Sequence, residues 1–263
     1  MLKIYQVDAF ADQPFAGNPA AVCLLTEPLE DSLMQQIAEE MNLSETAFLL
    51  KEGDGYSLRW FTPAIEVDLC GHATLASAHV LWSTGLLGED QPAHFYSRSG
   101  LLKAQLQNNG IELDFPAQPP QPTAAPEPLL ASLDISPIYV GYNSADYLIV
   151  VYNQEIVEKL DPDFRLMGKV ETRGVIVSAR ARDEGLDFVS RFFGPAAGID
   201  EDPVTGSAHC CLGPYWAKEL NKTTLSARQI SARGGNIQVL VANDRVFLTG
   251  KAITMLEGKL MIS

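Results

Sequence analysis

The sequence is poor in basic residues and cysteine and has no long apolar run, and each shortage excludes a class of protein. Its 19 Lys and Arg residues stand against 33 Asp and Glu residues, so the net charge at pH 7 is −14. Such a field repels nucleic acids and anionic membrane surfaces. No apolar stretch approaches the roughly 20 residues that a helix needs to cross a bilayer. We therefore expect neither nucleic acid nor a membrane as a partner.

The cysteine usage indicates thiols rather than disulfides. The four cysteines are Cys23, Cys70, Cys210 and Cys211, and none belongs to a C-x-x-C pair. This pattern fits a reducing compartment. The opening residues MLKIYQVDAFAD place an aspartate inside the apolar run and so lack the core of a signal peptide. We expect a cytoplasmic protein.

Motifs for cofactors and metals are missing as well. The sequence has no Walker-type loop, no dinucleotide-binding GxGxxG after a strand and no histidine and carboxylate cluster with zinc spacing. Cys210 and Cys211 are adjacent in a predicted helix, where their side chains diverge by about a quarter turn or more. We therefore expect neither a cofactor nor a metal.

What is present predicts a globular chain in two halves. Hydrophobic residues make up 46% of the sequence, enough for a real core. The segment AQPPQPTAAPEP, residues 117–128, contains five prolines and predicts a semi-rigid linker between halves 1–117 and 118–263. Whether the last strand packs back on the first half is left open. Helices are predicted over Asp31–Met41 and after two glycines, with short strands elsewhere.

An internal repeat connects the two halves. The stretch RWFTPA from Arg59 corresponds to RFFGPA from Arg191, three extra residues then enter the second half, and Gly71 and Gly206 begin a gapless register. Each half reads as strand, turn, helix, loop and paired strands. Two similar domains are expected to face each other across a cleft, which is a favoured place for a ligand.

The two predicted helix starts are candidate anion sites. The first N–H groups of a helix lack intrahelical partners and its dipole is positive there, so such an end holds a carboxylate without a charged side chain. Two of them, after Gly71 and Gly206, would let an acidic protein bind a small acid. The alternative is that the small residues after each glycine only permit tight packing.

Acidic residues crowd the second helix start in the stretch DEDPVTGSAHCC, residues 200–211. Asp202 either caps the helix or works beside His72, where a carboxylate and an imidazole relay protons. Asp200 and Glu201 are expected to be solvated turn acids. His72 lies at a positive helix start, which disfavours its protonated form unless an acid is close. Glu45 in NLSETAFLL is either a buried acid–base group or a strand-edge glutamate, and the pattern does not decide between them.

With these residues in view, the sequence resembles the PhzF family of phenazine-biosynthesis-like proteins. Four stretches in order carry the resemblance: VDAFADQPFAGNPAAV at 7–22, LSETAFL at 43–49, RWFTPAIEVDLCGHATLASAHVL at 59–81 and EDPVTGSA at 201–208. The resemblance implies the α+β fold of diaminopimelate epimerase. In that fold, two pseudo-symmetric domains each wrap a curved, mostly antiparallel sheet around a central helix. It also implies a homodimer that needs no cofactor.

The resemblance further implies which residues form the site. Glu45, His72 and Asp202 would be catalytic, with Glu45 taking a proton from carbon and returning it elsewhere in a cyclohexadiene-type carboxylic acid. The substrate would be bound by residues at the helix starts and in the GNPAAV stretch, namely Asn18, Gly71, Ala73, Thr205, Gly206 and Ser207.

Related epimerases and proline racemases use two opposed cysteines. Cys70 fills the first of these positions, but the repeat and the family motif place Thr205 at the second. A threonine hydroxyl is too weak an acid or base to replace a thiol, so two-cysteine racemisation is disfavoured. Cys70 is left between a thiolate stabilised by the helix end and a packed thiol.

Two functional hypotheses follow. The first is an isomerase that shifts a proton within a small cyclic or unsaturated carboxylic acid by general acid–base catalysis. The second is a binding or scaffold protein that keeps the fold and its anion-binding helix ends without turnover. The presence of Glu45, His72 and Asp202 together favours the enzyme.

Overall fold

The structure is a computed structural model and describes residues 1–262. Its helices are α1 Asp31–Met41, α2 Gly71–Ser83, α3 Glu127–Leu133, α4 Gln154–Glu158, α5 Phe164–Met167 and α6 Gly206–Leu220. None of the helices in residues 1–262 has the length and apolar character needed to cross a bilayer.

Eighteen strands make up most of the remaining regular structure. They are β1 Leu2–Ala9, β2 Asn18–Leu25, β3 Glu45–Glu52, β4 Gly55–Phe61, β5 Glu66–Val67, β6 Ala93–Ser97, β7 Gly100–Gln107, β8 Gly110–Pro116, β9 Gln121–Pro122, β10 Tyr139–Tyr142, β11 Asp146–Val150, β12 Gly174–Arg180, β13 Phe188–Gly194, β14 Ile199–Asp202, β15 Thr224–Gln229, β16 Gly235–Ala242, β17 Arg245–Gly250 and β18 Ala252–Leu260.

The chain divides into two compact units. Unit 1 is Met1–Asp114 together with the residues from Thr249 onward, and unit 2 is Phe115–Leu248. The sequence predicts a boundary at residues 117/118 and leaves the place of the last strand open. In the structure β18 pairs antiparallel with β1 over its length and so belongs to unit 1.

The two units repeat one order of strand pairings. In unit 1, β1 pairs antiparallel with β2, and β2 pairs parallel with β3. Strand β4 pairs antiparallel with β3 and with β5, and parallel with β6. Strand β6 then pairs antiparallel with β7. In unit 2, strands β10 to β16 make the same antiparallel and parallel pairings in the same order. The predicted α+β fold with two pseudo-symmetric, mostly antiparallel domains is confirmed.

Helix α2 is apolar on every side and forms the centre of unit 1. Its sequence GHATLASAHVLWS leaves every residue from Gly71 to Ala78 buried, as expected for a helix that is hydrophobic all round. The helix packs against β1, β2, β3 and β18. Because the helix lies inside its sheet, each polar group that it carries needs a partner within the protein.

Helix α6 takes the same place in the order of unit 2, between β14 and β15, and contains a proline. Pro214 lacks the N–H that would bind the carbonyl of Cys210. That carbonyl instead accepts a hydrogen bond from the backbone N–H of Gln118 at 2.9 Å. At Gly213 a Cβ atom would lie 2.9 Å from Cγ1 of Val239, so the close approach of α6 to β16 requires glycine.

The proline-rich segment 117–128 is bonded to the rest of unit 2. The N–H of Ala117 donates to the carbonyl of Asp244 at 2.8 Å, and the N–H of Thr123 donates to that of Val140 at 3.1 Å. Pro122 lies in the two-residue strand β9, which pairs with β10. The residues between the prolines thus supply the backbone N–H donors that the prolines lack. The segment is therefore packed onto unit 2 and is not a flexible linker.

An arginine–glutamate pair recurs at equivalent positions of the repeat. In unit 1, Nε and Nη2 of Arg59 donate to Glu66 at 2.7 Å each. In unit 2, the same two nitrogens of Arg191 donate to Glu201 at 2.7 and 2.9 Å. The expectation that Glu201 is a solvated turn acid is wrong, because this pairing ties the strand before α6 to β13.

The buried position of α2 makes a direct prediction about stability. Leu75 is fully buried in this helix, so Leu75→Ala removes a core side chain and leaves a cavity. We expect the free energy of unfolding to fall by about 2–5 kcal/mol, measured by urea denaturation. The control Leu101→Ala removes a half-exposed leucine. A loss at Leu75 no larger than that of the control would contradict a central helix.

Candidate functional site

Three side chains of unit 1 meet where three elements begin. Asn18 opens β2, Glu45 opens the parallel strand β3, and His72 is the second residue of α2. Oε2 of Glu45 lies 3.0 Å from Nε2 of His72. Nδ2 of Asn18 lies 3.1 Å from Nδ1 of the same ring, and the hydroxyl of Ser44 donates to Oδ1 of Asn18 at 3.1 Å. Two of the predicted catalytic residues and one predicted binding residue therefore form one cluster.

The cluster is largely shielded from water. The side chain of His72 is 4% exposed and that of Glu45 is 14% exposed. Oε2 of Glu45 itself is buried, and no hydrogen bond with good geometry reaches it from the residues that the structure describes. The contact with His72 is thus an ion pair by distance without an aligned hydrogen bond. A buried carboxylate oxygen of this kind is able to accept a proton from a ligand.

The charge state of His72 is set by its acidic neighbours. Burial by itself lowers the pKa of the imidazolium, but the interactions with the sulfur of Cys70 and with the carboxylate of Glu45 outweigh burial, and the pKa of His72 lies well above its usual value. A charged histidine at this helix start requires a nearby acid. The structure supplies that acid in Glu45.

Cys70 contributes a neutral thiol to the cluster. Its sulfur lies 3.5 Å from Nδ1 of His72. Burial, and then the charge of Glu45, raise the pKa of the Cys70 thiol to about 11. Cys70 is therefore a packed thiol at neutral pH, which resolves the alternative left by the sequence. Glu45 is the group that carries the negative charge beside His72.

The same three side chains have the spacing of metal ligands. The nearest ligand atoms of Glu45, Cys70 and His72 all lie within 4.8 Å of one another. A metal would require a thiolate and a neutral imidazole. A metal would therefore have to displace protons from Cys70 and His72, whose pKa values are both raised.

The predicted residues of unit 2 form a second polar cluster. The hydroxyl of Thr205 donates to Oδ2 of Asp202 at 2.5 Å. The buried side chain of Gln229 accepts a hydrogen bond from the Thr205 N–H at 2.8 Å and donates to the Asp202 carbonyl at 2.7 Å and to the Thr205 hydroxyl oxygen at 3.2 Å. Because Thr205, not Asp202, occupies the N-cap position of α6, Asp202 is not the helix cap.

The two helix starts lie where the repeat places them. Helix α2 begins at Gly71 and α6 begins at Gly206. The N-cap residues, Cys70 and Thr205, have extended backbones and make no side-chain hydrogen bond to their own helix start within the described residues. The predicted roles of Gly71, Ala73, Gly206 and Ser207 in binding a carboxylate remain predictions.

Gln229 was not among the residues that the sequence indicated. It ends β15 in the run TLSARQ, a position that has no motif around it. Its partners are more than twenty residues away in the chain, so only the parallel pairing of β13 with β15 brings them together. No local pattern could have found it.

The ion pair at His72 makes stability depend on pH. Because the folded-state pKa of His72 is raised above its unfolded value of about 6.5, the stabilisation is complete below that value and is lost as pH rises through the folded pKa. We expect the destabilisation caused by Glu45→Gln to shrink as the pH rises above about 6.5 and through the raised pKa of His72, measured by denaturant unfolding. The exposed Glu52, in the same strand, provides the control Glu52→Gln. A pH-independent difference for Glu45→Gln would contradict the ion pair.

The network around Gln229 also makes a stability prediction. Gln229→Leu removes one hydrogen-bond partner each from the N–H of Thr205, the carbonyl of Asp202 and the hydroxyl of Thr205. We expect a loss of about 1–3 kcal/mol in the free energy of unfolding. Gln238→Leu, on the facing strand and exposed, is expected to stay within about 0.5 kcal/mol of the wild type. Equal effects of the two substitutions would show that the network adds no stability.

Comparison with known proteins places this geometry in a family. The model of the phenazine biosynthesis-like protein family matches residues 7–258. An uncharacterized isomerase of Halalkalibacterium halodurans is 53% identical over 98% of both chains, and one of Pseudomonas aeruginosa is 47% identical over 100% of this chain and 99% of the other. The crystal structure of a PhzF family protein from Enterococcus faecalis has a TM-score of 0.94 and 44% identity, covering 99% of each chain. The chain belongs to the phenazine biosynthesis-like, or PhzF, family.

Proposed function

We propose that the protein is an isomerase that moves a proton within a small carboxylic acid, with Glu45 as the group that takes and returns the proton. One observation carries the proposal. Oε2 of Glu45 is buried and lies 3.0 Å from Nε2 of His72, without an aligned hydrogen bond. The curated relatives that are named isomerases support the same reaction class.

The reaction needs only a base that becomes an acid. Glu45 takes a proton from a carbon beside a double bond of the substrate, and the electron pair of the broken C–H bond spreads into the unsaturated acid. The protonated Glu45 then returns the same proton to another carbon, and the double bond moves. No electron leaves the substrate, so the step balances without an oxidant or reductant. Cofactor-independent catalysis on a cyclic or unsaturated acid is part of this proposal.

His72 has two tasks in the proposed reaction. As an imidazolium, it lies 3.0 Å from Oε2 of Glu45 and so orients the carboxylate that is proposed to accept the proton. It also stabilises the negative charge that develops on the substrate when the C–H bond breaks. The amide nitrogen of Asn18 lies 3.1 Å from Nδ1, so for an imidazolium the amide must turn and present Oδ1 to the Nδ1 proton, which an asparagine side chain is able to do.

The remaining predicted residues serve binding and proton control. We propose that backbone N–H groups of Gly71, Ala73 and Gly206 hold the carboxylate of the acid, and that Ser207 and Thr205 line the same binding site. Asp202 is proposed to act on the same substrate as Glu45, and Asp202→Asn tests that role. Homodimer formation and a cytoplasmic location remain predictions from the sequence.

The test separates chemistry from binding. The wild type, Glu45→Gln and the control Glu52→Gln are incubated in heavy water with a panel of unsaturated and cyclic carboxylic acids. Isomer formation and carbon-bound deuterium are followed by NMR. We expect Glu45→Gln to lower kcat/KM by about 100-fold or more, with ligand affinity changed by less than about threefold, because the lost group transfers the proton.

The control and the alternatives have distinct outcomes. Glu52 lies at the exposed end of β3, so Glu52→Gln is expected to retain wild-type turnover. Isomerisation that survives Glu45→Gln unchanged would contradict the proposed base. Acids that bind the wild type without any isomerisation would favour the binding or scaffold protein.

A further inference from the structure

Arg173 of unit 2 is held in a fixed orientation by a buried acid. Asp146 opens β11 and is completely buried, and Arg173 directly precedes β12, the parallel neighbour of β11. Nε of Arg173 donates to Oδ1 of Asp146 at 2.8 Å, and Nη2 donates to Oδ2. This two-pronged contact fixes the plane of the guanidinium group.

The guanidinium group lies on the same face of unit 2 as Asp202. Phe192 of β13 is the strand partner of Asp202, and partners across an antiparallel pair share one face of the sheet. The centroid of the Phe192 ring lies 5.8 Å from Cζ of Arg173. A Cβ atom at Gly174 would lie 2.1 Å from the ring, so the glycine after Arg173 makes room for this arrangement. Phe192 therefore links the arginine to the candidate acid.

Arg173 keeps a donor group that two other paired arginines, Arg59 and Arg191, use within the protein. Nη1 of Arg59 donates to Asp31, and Nη1 of Arg191 donates to two backbone carbonyls. The Nη1 group of Arg173 has no hydrogen-bond partner among the described residues, and its side chain is 43% exposed, compared with 27% and 13% for the other two. A purely structural clamp for Asp146 does not require this outward-facing donor pair.

The surroundings of Arg173 favour an anion. The charges of Arg173 and Arg245 both act on Cys210, one turn into α6, where burial raises the pKa of the thiol to about 12 against their opposing effect. Two cations thus lie near the first turn of a helix whose start is itself positive. Asp146 and Asp202 also act on Arg173, so the two cations offset nearby acids in a chain of net charge −14.

We propose that Arg173 binds a second carboxylate of the substrate through Nη1, beside Asp202, so that the protein acts on dicarboxylic acids. The inference rests on the proposed function, because it places the substrate next to Asp202. The helix starts would hold the first carboxylate, and the guanidinium group would hold the second with a charge-assisted hydrogen bond. Arg173 is then a residue that determines specificity.

The experiment compares two ligands that differ in one charge. Hexenedioic acid and its monoamide have nearly the same shape, but the monoamide has an uncharged group in place of one carboxylate. Their Kd values are measured by calorimetry for the wild type, Arg173→Lys and the double variant Asp146→Asn/Arg173→Gln. The double variant removes the buried charge together with its partner, so that the fold is not left with an unpaired acid. Arg182→Gln, on the surface of the same unit, is the control.

We expect the diacid to bind the wild type more tightly than the monoamide does. The double variant should weaken binding of the diacid by about 10- to 100-fold and leave the monoamide within about threefold, because one charge-assisted contact is lost. The affinity of Arg173→Lys for the diacid should lie between those of the wild type and the double variant. The affinity of Arg182→Gln should match that of the wild type. Equal losses for both ligands, no loss for the diacid, or no binding of either ligand to the wild type would overturn the proposal.

The heavy-water assay with monocarboxylic acids tells the two proposals apart. Isomerisation of monocarboxylic acids without any gain from a second carboxylate would overturn the role of Arg173 and keep the proposed function. Tight, Arg173-dependent binding of the diacid without proton transfer would support the role of Arg173 in binding and contradict the isomerase.

Discussion

The contact between Glu45 and His72 is the interaction on which the rest of the site depends. Helix α2 is buried on every side, so each polar side chain that it carries must find a partner inside the protein. Thr74 and Ser77 do so by donating to backbone carbonyls one turn earlier in the same helix. His72 is different because its partner is a carboxylate, and that pairing places a charged acid–base couple in a shielded position.

The repeat shows how one architecture supports two different helix starts. In unit 1, the N-cap carbonyl of Cys70 accepts the hydroxyl of Thr74, and in unit 2 the N-cap carbonyl of Thr205 accepts Nδ1 of His209. Thr74 and His209 lie at equivalent positions of the repeat, and each forms a hydrogen bond with the carbonyl of the N-cap residue. Burial lowers the pKa of His209 to about 4, so it is neutral and structural. Thus only the first helix start carries a histidine whose pKa is raised.

The repeated arginine–glutamate pairs explain why the backbone takes a defined path into the first turns of α2 and α6. Each pair ties the short strand before the helix to the long strand behind it, with two hydrogen bonds from one guanidinium group. A planar guanidinium group matches a carboxylate in this geometry, which fixes direction as well as distance. The polypeptide therefore enters α2 and α6 along a restrained path. Differences in chemistry between the units arise from the residues that follow.

Much of the fold could be predicted because it follows from local patterns in the sequence. The bounds of α1, the helices after Gly71 and Gly206, and the repeat that begins at Arg59 all come from neighbouring residues, and the structure confirms them. The sequence made a protonated His72 conditional on a nearby acid, and Glu45 is the acid that lies beside it. These features depend on spacing within one element or on a match between two stretches.

The rest could not be predicted because it depends on pairing between distant strands. Gln229 and Arg173 have no motif, and their partners Thr205 and Asp146 lie more than twenty residues away in sequence. Glu201 was misread for the same reason, since its arginine lies on another strand. The state of Cys70 required knowledge of its burial. A sequence indicates which chemistry is present, but the sheet register decides which groups meet.

The most direct test of the central claim is an NMR titration of the His72 imidazole in the wild type and in Glu45→Gln. We expect His72 of the wild type to titrate well above the usual histidine pKa of about 6.5, and Glu45→Gln to lower the midpoint because burial then acts without the opposing carboxylate. A wild-type midpoint at or below the usual value, unchanged by the substitution, would contradict the Glu45–His72 couple as the basis of the site.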